Sequence, residues 1–214
     1  MSIATLILGE SGSGKSTSLR NLTPSKVLLI QAIHKPLPFR STEWKMLTKE
    51  HPEGSIFVCD NAETICRAIA KTDREIIVID DYQYIMANEF MRRAKEKGYD
   101  KFTEIGEKAW QVFNQAVALS PNKRVYILAH TETDAFGKTK IKTIGKMLDE
   151  KITLEGMVTI CLRTRVSDGQ FQFSTQNNGE DTVKSPMGLF ESQYIDNDLK
   201  AVDDAICEYW GINA

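Results

Sequence analysis

The stretch Gly9-Glu10-Ser11-Gly12-Ser13-Gly14-Lys15-Ser16-Thr17 constrains this chain more than any other. It follows the apolar run Ile-Ala-Thr-Leu-Ile-Leu and precedes residues 18–22, a segment able to form a short helix. Strand, Gly-rich turn, Lys-Ser and helix start is the context in which G-x-x-x-x-G-K-[ST] cradles phosphate. Glycines let the backbone curl until successive N–H groups point inward. A helix start adds unsatisfied N–H groups and partial positive charge. In this reading residues 9–17 bind a nucleotide, Lys15 reaches the β- and γ-phosphates, and the Ser16 hydroxyl ligates Mg²⁺. The plain alternative is a flexible Gly/Ser turn.

A second strong signal is Glu75-Ile76-Ile77-Val78-Ile79-Asp80-Asp81, a β-branched run closed by acids. It predicts a buried central strand with Asp80 on the metal side, opposite Lys15 and Ser16. Asp81 is a candidate to orient water, or else a cap for the next segment. Residues 124–129 predict a further buried strand, ending in His130. A polar group there, beside the metal strand, suits contact with the γ-phosphate. The alternative is a histidine that fills a strand end and bonds locally.

The chain has 214 residues and a net charge of −2, enough for one α/β domain with a full core and tight for two. No global charge announces nucleic acid or membrane, and no apolar run approaches a membrane span. Cys59, Cys66, Cys161 and Cys207 lack a C-x-x-C pair and read as reduced, buried thiols of a cytoplasmic protein. His34, His51 and His130 are too scattered for a His-based metal centre. The N-terminal apolar run leads straight into the Gly-rich loop, so it is read as the first strand and not as a signal peptide.

Residues 26–30 suit a strand buried on both faces, and residues 55–59 a strand or edge element. A small helix is expected at residues 43–49, and another behind Asn61 as N-cap. Residues 82–101 form a mixed, basic stretch. A helix comes next, with Ile105, Ala109, Val112, Phe113, Ala116 and Leu119 on one face. Residues 136–146 alternate lysines with apolar and hydroxyl residues. They read as a solvated hairpin edge or, alternatively, a loop contacting a phosphate backbone. Residues 147–155 are expected to be helical. Residues 157–162 and 169–173 are expected as strands joined by 163–168, and the acidic tail 191–214 as a docked helix.

Taken in order, the motifs fit the additional-strand branch of P-loop ATPases. The chain resembles the short phage-encoded RecA-like ATPases, the Sak-four group of single-strand annealing proteins. The resemblance is carried by residues 9–17, Lys35-Pro36-Leu37-Pro38-Phe39, residues 76–81, Leu128-Ala129-His130-Thr131-Glu132, residues 143–149, and Thr182-Val183-Lys184-Ser185-Pro186. It covers most of the chain, with the Gly-rich loop as its specific part. It implies one RecA-like domain over 1–214, with a mainly parallel sheet flanked by helices and antiparallel strands near the C-terminus. It also implies a Mg²⁺-dependent ATPase that binds and anneals single-stranded DNA in phage recombination, in the host cytoplasm. The assembly would be a homo-oligomer, ring or filament, with a single-strand binding protein as a further partner.

Under that resemblance, catalytic roles fall to Lys15, Asp81 and His130. The DNA-binding candidates are Arg92, Arg93, Lys138, Lys140 and Lys142, with Tyr99 and Phe102 either stacking bases or simply packing. Arg163, Arg165 and Lys184 are candidates for a cation donated to a neighbouring subunit's phosphate. One departure stands out: the strand after the first helix ends Ile30-Gln31-Ala32-Ile33-His34, without the usual acid. Asp81, Glu63 or Glu132 would have to substitute, or hydrolysis is slow. The rival readings are a nucleotide-gated module of a phage replication or packaging machine and a small-molecule kinase.

Overall fold

The computed structural model describes residues 1–212. Among the described residues ten strands follow one another: β1 (Ile3–Leu8), β2 (Val27–Gln31), β3 (Ile56–Val58), β4 (Ile76–Asp80), β5 (Arg124–Ala129), β6 (Thr131–Thr133), β7 (Thr139–Ile141), β8 (Ile160–Ser167), β9 (Gln170–Ser174) and β10 (Tyr194–Asp196). The α-helices are α1 (Ala62–Lys71), α2 (Gln83–Arg92), α3 (Asp100–Val117) and α4 (Leu199–Trp210). Eight strands form one sheet in the order β10-β9-β8-β1-β5-β4-β2-β3, and β6 and β7 form a separate antiparallel hairpin.

From β8 to β3 the sheet is parallel throughout, while β9 and β10 add antiparallel strands at one edge. Strands buried on both faces read as continuous apolar runs, as β1, β2, β4 and β5 do. Alternate residues feed two cores. Leu6, Leu8, Ile77, Ile79, Val125 and Ile127 pack under α1, α2 and α3. Ile7, Leu29, Val78 and Leu128 pack under α4 and the Leu19 and Leu22 side chains. The parallel arrangement brings Leu8, Gln31, Asp80 and Ala129 to one edge of the sheet, where ligand sites of open α/β sheets lie. The acid strand β4 is not next to β1; β5 lies between them.

Local expectations fare unevenly. The short helix expected after the Gly-rich loop is present, as a 3₁₀ helix over Ser16–Asn21. Pro24 explains its shortness, because Thr23 before it is held extended and the chain must leave the helix early. Residues 43–49 are not a helix: Trp44 is buried, and Met46 bridges Ile56 at the sheet edge. Residues 82–101 contain α2, whose Tyr82 start has no side-chain cap to announce it. Residues 147–155 hold a π-turn over Met147–Lys151 and a 3₁₀ turn beginning at Leu154. Residues 163–167 belong to strand β8, so the connection to β9 is only Asp168-Gly169. The tail carries β10 before α4, and its last two residues lie outside the described ones. Of the cysteines, Cys161 and Cys207 are buried, but Cys59 and Cys66 are only half-buried.

Asn61 caps α1 through its side chain, which accepts from the Thr64 N–H at 2.9 Å. At the opposite end of the sheet α4 is locked by Arg124 on β5. Its guanidinium donates to both carboxylate oxygens of buried Asp203, at 2.9 and 3.1 Å, and the Tyr126 hydroxyl donates to the same group at 2.5 Å. Among the described residues no helix is long and apolar enough to cross a membrane.

Candidate functional site

The Gly-rich loop leaves β1 with the Gly9 N–H donating to the Ala129 carbonyl at 3.1 Å. A Cβ at Gly9 would lie 1.8 Å from the Thr164 Oγ1, so only glycine fits against β8 here. Gly12 and Gly14 adopt positive φ, which turns the backbone around. Residues 11, 12, 14, 15, 16 and 17 then line a cleft of about 240 Å³, whose far wall is Lys35, Pro36, Pro38, Asp81 and His130.

Ser16 and Asp80 meet across this edge. The Ser16 hydroxyl lies 2.9 and 3.0 Å from the two Asp80 oxygens. Asp80 is 1 % exposed. Burial, with Asp81 beside it, pushes its carboxyl up to about 6 against the pull of Lys35, Ser16 and Lys15. A buried carboxylate and a hydroxyl form a hard oxygen donor set, which suits Mg²⁺ held by few protein ligands plus phosphate and water. Among the described residues no cluster of three or more His, Cys, Asp or Glu is placed to hold a metal. The Lys15 amine donates to the Gly9 and Glu10 carbonyls at 2.7 and 2.8 Å. Burial lowers its pKa to about 8, against the raising fields of Asp81 and Asp80. Lys15, Ser16 and Asp81 line the same cleft, and Asp80 joins it through the Ser16 hydroxyl.

Asp81 is the pivot of the far wall. Its φ is 61°, a left-handed value unusual outside glycine. The turn is over-determined by the next residue: the Tyr82 N–H donates to Leu128 O at 3.0 Å, and the buried Tyr82 hydroxyl donates to Ala109 O at 2.8 Å. So aimed, the Asp81 carboxylate accepts from the Lys35 amine and stands 3.4 Å from the His130 Nε2. Burial opposes its charge, yet His130 and Lys35 outweigh it and hold the carboxyl down to about 2. For Lys35, burial also opposes the charge, and the bond to Asp81 with the field of Asp80 leaves its pKa raised. Lys35 is a cleft-lining residue to which no motif assigned a role. Its signal was the Pro36 and Pro38 pair, which fixes a backbone path.

The remaining candidates scatter. Of the substitute acids, Asp81 lines the cleft, whereas Glu63 faces Lys108 and Glu132 faces Lys140. Arg92 is paired with Asp60 and Glu89, and Arg93 with Glu96 and Glu104. Lys140 is paired with Asp149 and Glu132, while Lys138 and Lys142 are exposed. Phe102 packs on Phe90, with centroids 5.5 Å apart, and Tyr99 is exposed. Phe136, an aromatic that the sequence motifs leave unassigned, is 97 % exposed between β6 and β7. Arg163 pairs with Asp181, and the Arg165 guanidinium lies 4.2 Å from the Tyr194 ring centre. Both line a second groove of about 490 Å³ that shares Glu10 and Ser13 with the Gly-rich loop. Lys184 is paired through its backbone with Cys161.

No protein-family model matches this chain, and no curated protein matches it.

Proposed function

We propose that this chain is a RecA-like P-loop protein that binds ATP with Mg²⁺ and uses it to bind and anneal single-stranded DNA as a homo-oligomer. The carrying observation is the meeting of Ser16 and Asp80 at the mouth of the Gly-rich loop, with Lys15 lining the same cleft as Ser16. The placement of β5 between the loop strand and the acid strand supports the same reading.

In this reading, loop N–H groups take the β-phosphate and the Lys15 amine leaves the Gly9 and Glu10 carbonyls for the phosphates. Ser16 and Asp80 would hold Mg²⁺, which neutralises phosphate charge. Asp81 and His130 lie at the γ-phosphate end. In hydrolysis, water oxygen bonds the terminal phosphorus as its bond to the β,γ-bridging oxygen breaks, giving ADP and phosphate, with the water proton ending on the phosphate. Asp81, held ionised by Lys35 and its contact with His130, is better suited to orienting water than to taking its proton. Turnover is accordingly slow.

The DNA surface in this reading is the hairpin of β6 and β7, with Lys138, Lys142 and Phe136. Arg92, Arg93 and Lys140 contribute little, because carboxylates already engage them. Those same pairings favour a second reading, a nucleotide-gated module whose target is a protein of a phage replication or packaging machine. Annealing of complementary oligonucleotides decides between them. The parent should anneal faster with ATP and Mg²⁺, and Lys15→Ala should lose that increment. Equal annealing by Lys15→Ala with ATP present would break the coupling.

A further inference from the structure

Lys35 has a fixed backbone and a partly exposed side chain that reaches Asp81. Its backbone is fixed on both sides. The buried Gln31 side chain donates to the Lys35 carbonyl at 3.1 Å, Pro36 restricts the residue before it, and Leu37 is buried in the core. The side chain is different, being 41 % exposed and held at its tip by Asp81. It lines the same cleft as the Gly-rich loop, on the wall opposite Ser11 and Gly12. Lys15 and Lys35 are the two lysines of that lining.

We propose that Lys35 is a γ-phosphate cation supplied by the chain's own β2 loop, stored on Asp81 and transferred to the terminal phosphate when a triphosphate fills the cleft. The inference rests on the ATP-binding reading and deepens it. Stored on Asp81, the ammonium keeps a charge partner and avoids being left half-buried and unpaired. A terminal phosphate offers more negative charge and three acceptor oxygens, so the lysine exchanges one anion for a stronger one. The transfer frees one side of Asp81 while His130 still holds the other. A diphosphate lacks that terminal phosphate, so Lys35 remains on Asp81. Lys35 therefore reports the presence of the γ-phosphate to the residues at the end of β4, and discriminates tri- from diphosphate. Its carrier loop follows the strand whose end lacks an acid, so the position contributes a cation to the cleft instead of a general base.

Equilibrium binding of fluorescent ADP and of a non-hydrolysable ATP analogue, with Mg²⁺, tests this on the full chain. Lys35→Met should lose about ten- to hundredfold of affinity for the triphosphate while its diphosphate affinity stays at the parent's. Lys35→Arg should restore part of the preference, because it keeps the charge. Equal losses for both nucleotides would reduce Lys35 to a structural role and overturn the proposal, as would an unchanged ratio. If the parent itself binds neither nucleotide, the ATP reading fails first and takes this inference with it. If the parent binds both and the ratio is insensitive to Lys35, only this inference falls. Thermal melting of Lys35→Met checks folding, and Asp81→Asn gives an independent arm. Releasing the stored lysine should raise triphosphate affinity relative to diphosphate, and a lowered ratio would count against the storage step.

Discussion

The Ser16 hydroxyl and the Asp80 carboxylate lie 2.9 Å apart although 64 residues separate them in sequence. The pair joins the loop after the first strand to the tip of β4, and the intervening β5 is what holds that spacing. Asp80 is nearly fully buried beside a second carboxylate, so its charge is unfavourable unless a cation balances it. Asp80→Asn keeps the shape and removes that charge. Without nucleotide the variant should melt no lower than the parent, while Mg²⁺-dependent ATP affinity falls by about tenfold or more. Calorimetric titration with and without EDTA, beside thermal melts, reads both quantities. A variant that melts well below the parent would recast Asp80 as a structural partner.

The fit of Gly9 against Thr164 gives a steric prediction. The Gly9→Ala methyl would overlap the Thr164 Oγ1, and the Ser13 Oγ stands only 2.6 Å away. Overpacking of this kind costs about 1–3 kcal/mol and would displace the loop from the phosphate position. Thr164→Ala removes the nearest atom, so the double variant should recover part of the lost stability and part of the nucleotide affinity. Chemical denaturation of the four proteins of the cycle measures it. Strict additivity would show that the two positions do not touch.

The parts legible in sequence were those written in consecutive residues. Residues 9–17, the apolar run into Asp80 and the strand into His130 announce their own positions, and the parallel register brings their ends together. Asn61 announces α1 through its cap. The missed elements lack such local marks. Helix α2 buries Ile85 and Met86 but exposes Met91, so its periodicity is weak. Residues 43–49 satisfy their backbone by pairing with β3, a tertiary event that no local propensity reveals. Strand β10 is three residues long and is recognisable only from its pairing with β9. Lys35 was hidden because its partner is Asp81, which lies 46 residues further on.

Arg124 supplies a prediction about stability alone. It is 1 % exposed, and Asp203 on α4 is its buried counter-ion. Asp203→Ala leaves the guanidinium without that partner and strips the Tyr126 hydroxyl of its acceptor. The expected cost is about 3–5 kcal/mol. Replacing both residues, as in Arg124→Met with Asp203→Leu, should cost much less than the single change, because no buried charge is stranded. Urea unfolding curves compare the parent with these two variants. Equal destabilisation by the single and double changes would mean that packing, and not the charge pair, holds α4 on the sheet.

If single-stranded DNA binds as proposed, the hairpin of β6 and β7 separates electrostatic from stacking contributions. Lys138 and Lys142 are exposed, and each phosphate neutralised on a single strand adds about −0.7 to the slope of log affinity against log salt. Changing both to Ala should flatten that slope by about 1.4 in the presence of ATP and Mg²⁺. Arg92→Ala and Arg93→Ala should leave it nearly unchanged, since Asp60, Glu89, Glu96 and Glu104 already hold those guanidinium groups. Phe136→Ala should behave differently again. A stacked base is worth about 1–3 kcal/mol and releases no counterions, so affinity should drop at every salt concentration with the slope preserved. Fluorescence anisotropy with labelled oligonucleotides over a salt series resolves these patterns. If removing both lysines leaves the slope untouched while Arg92→Ala flattens it, the DNA track runs along α2 and not along the hairpin.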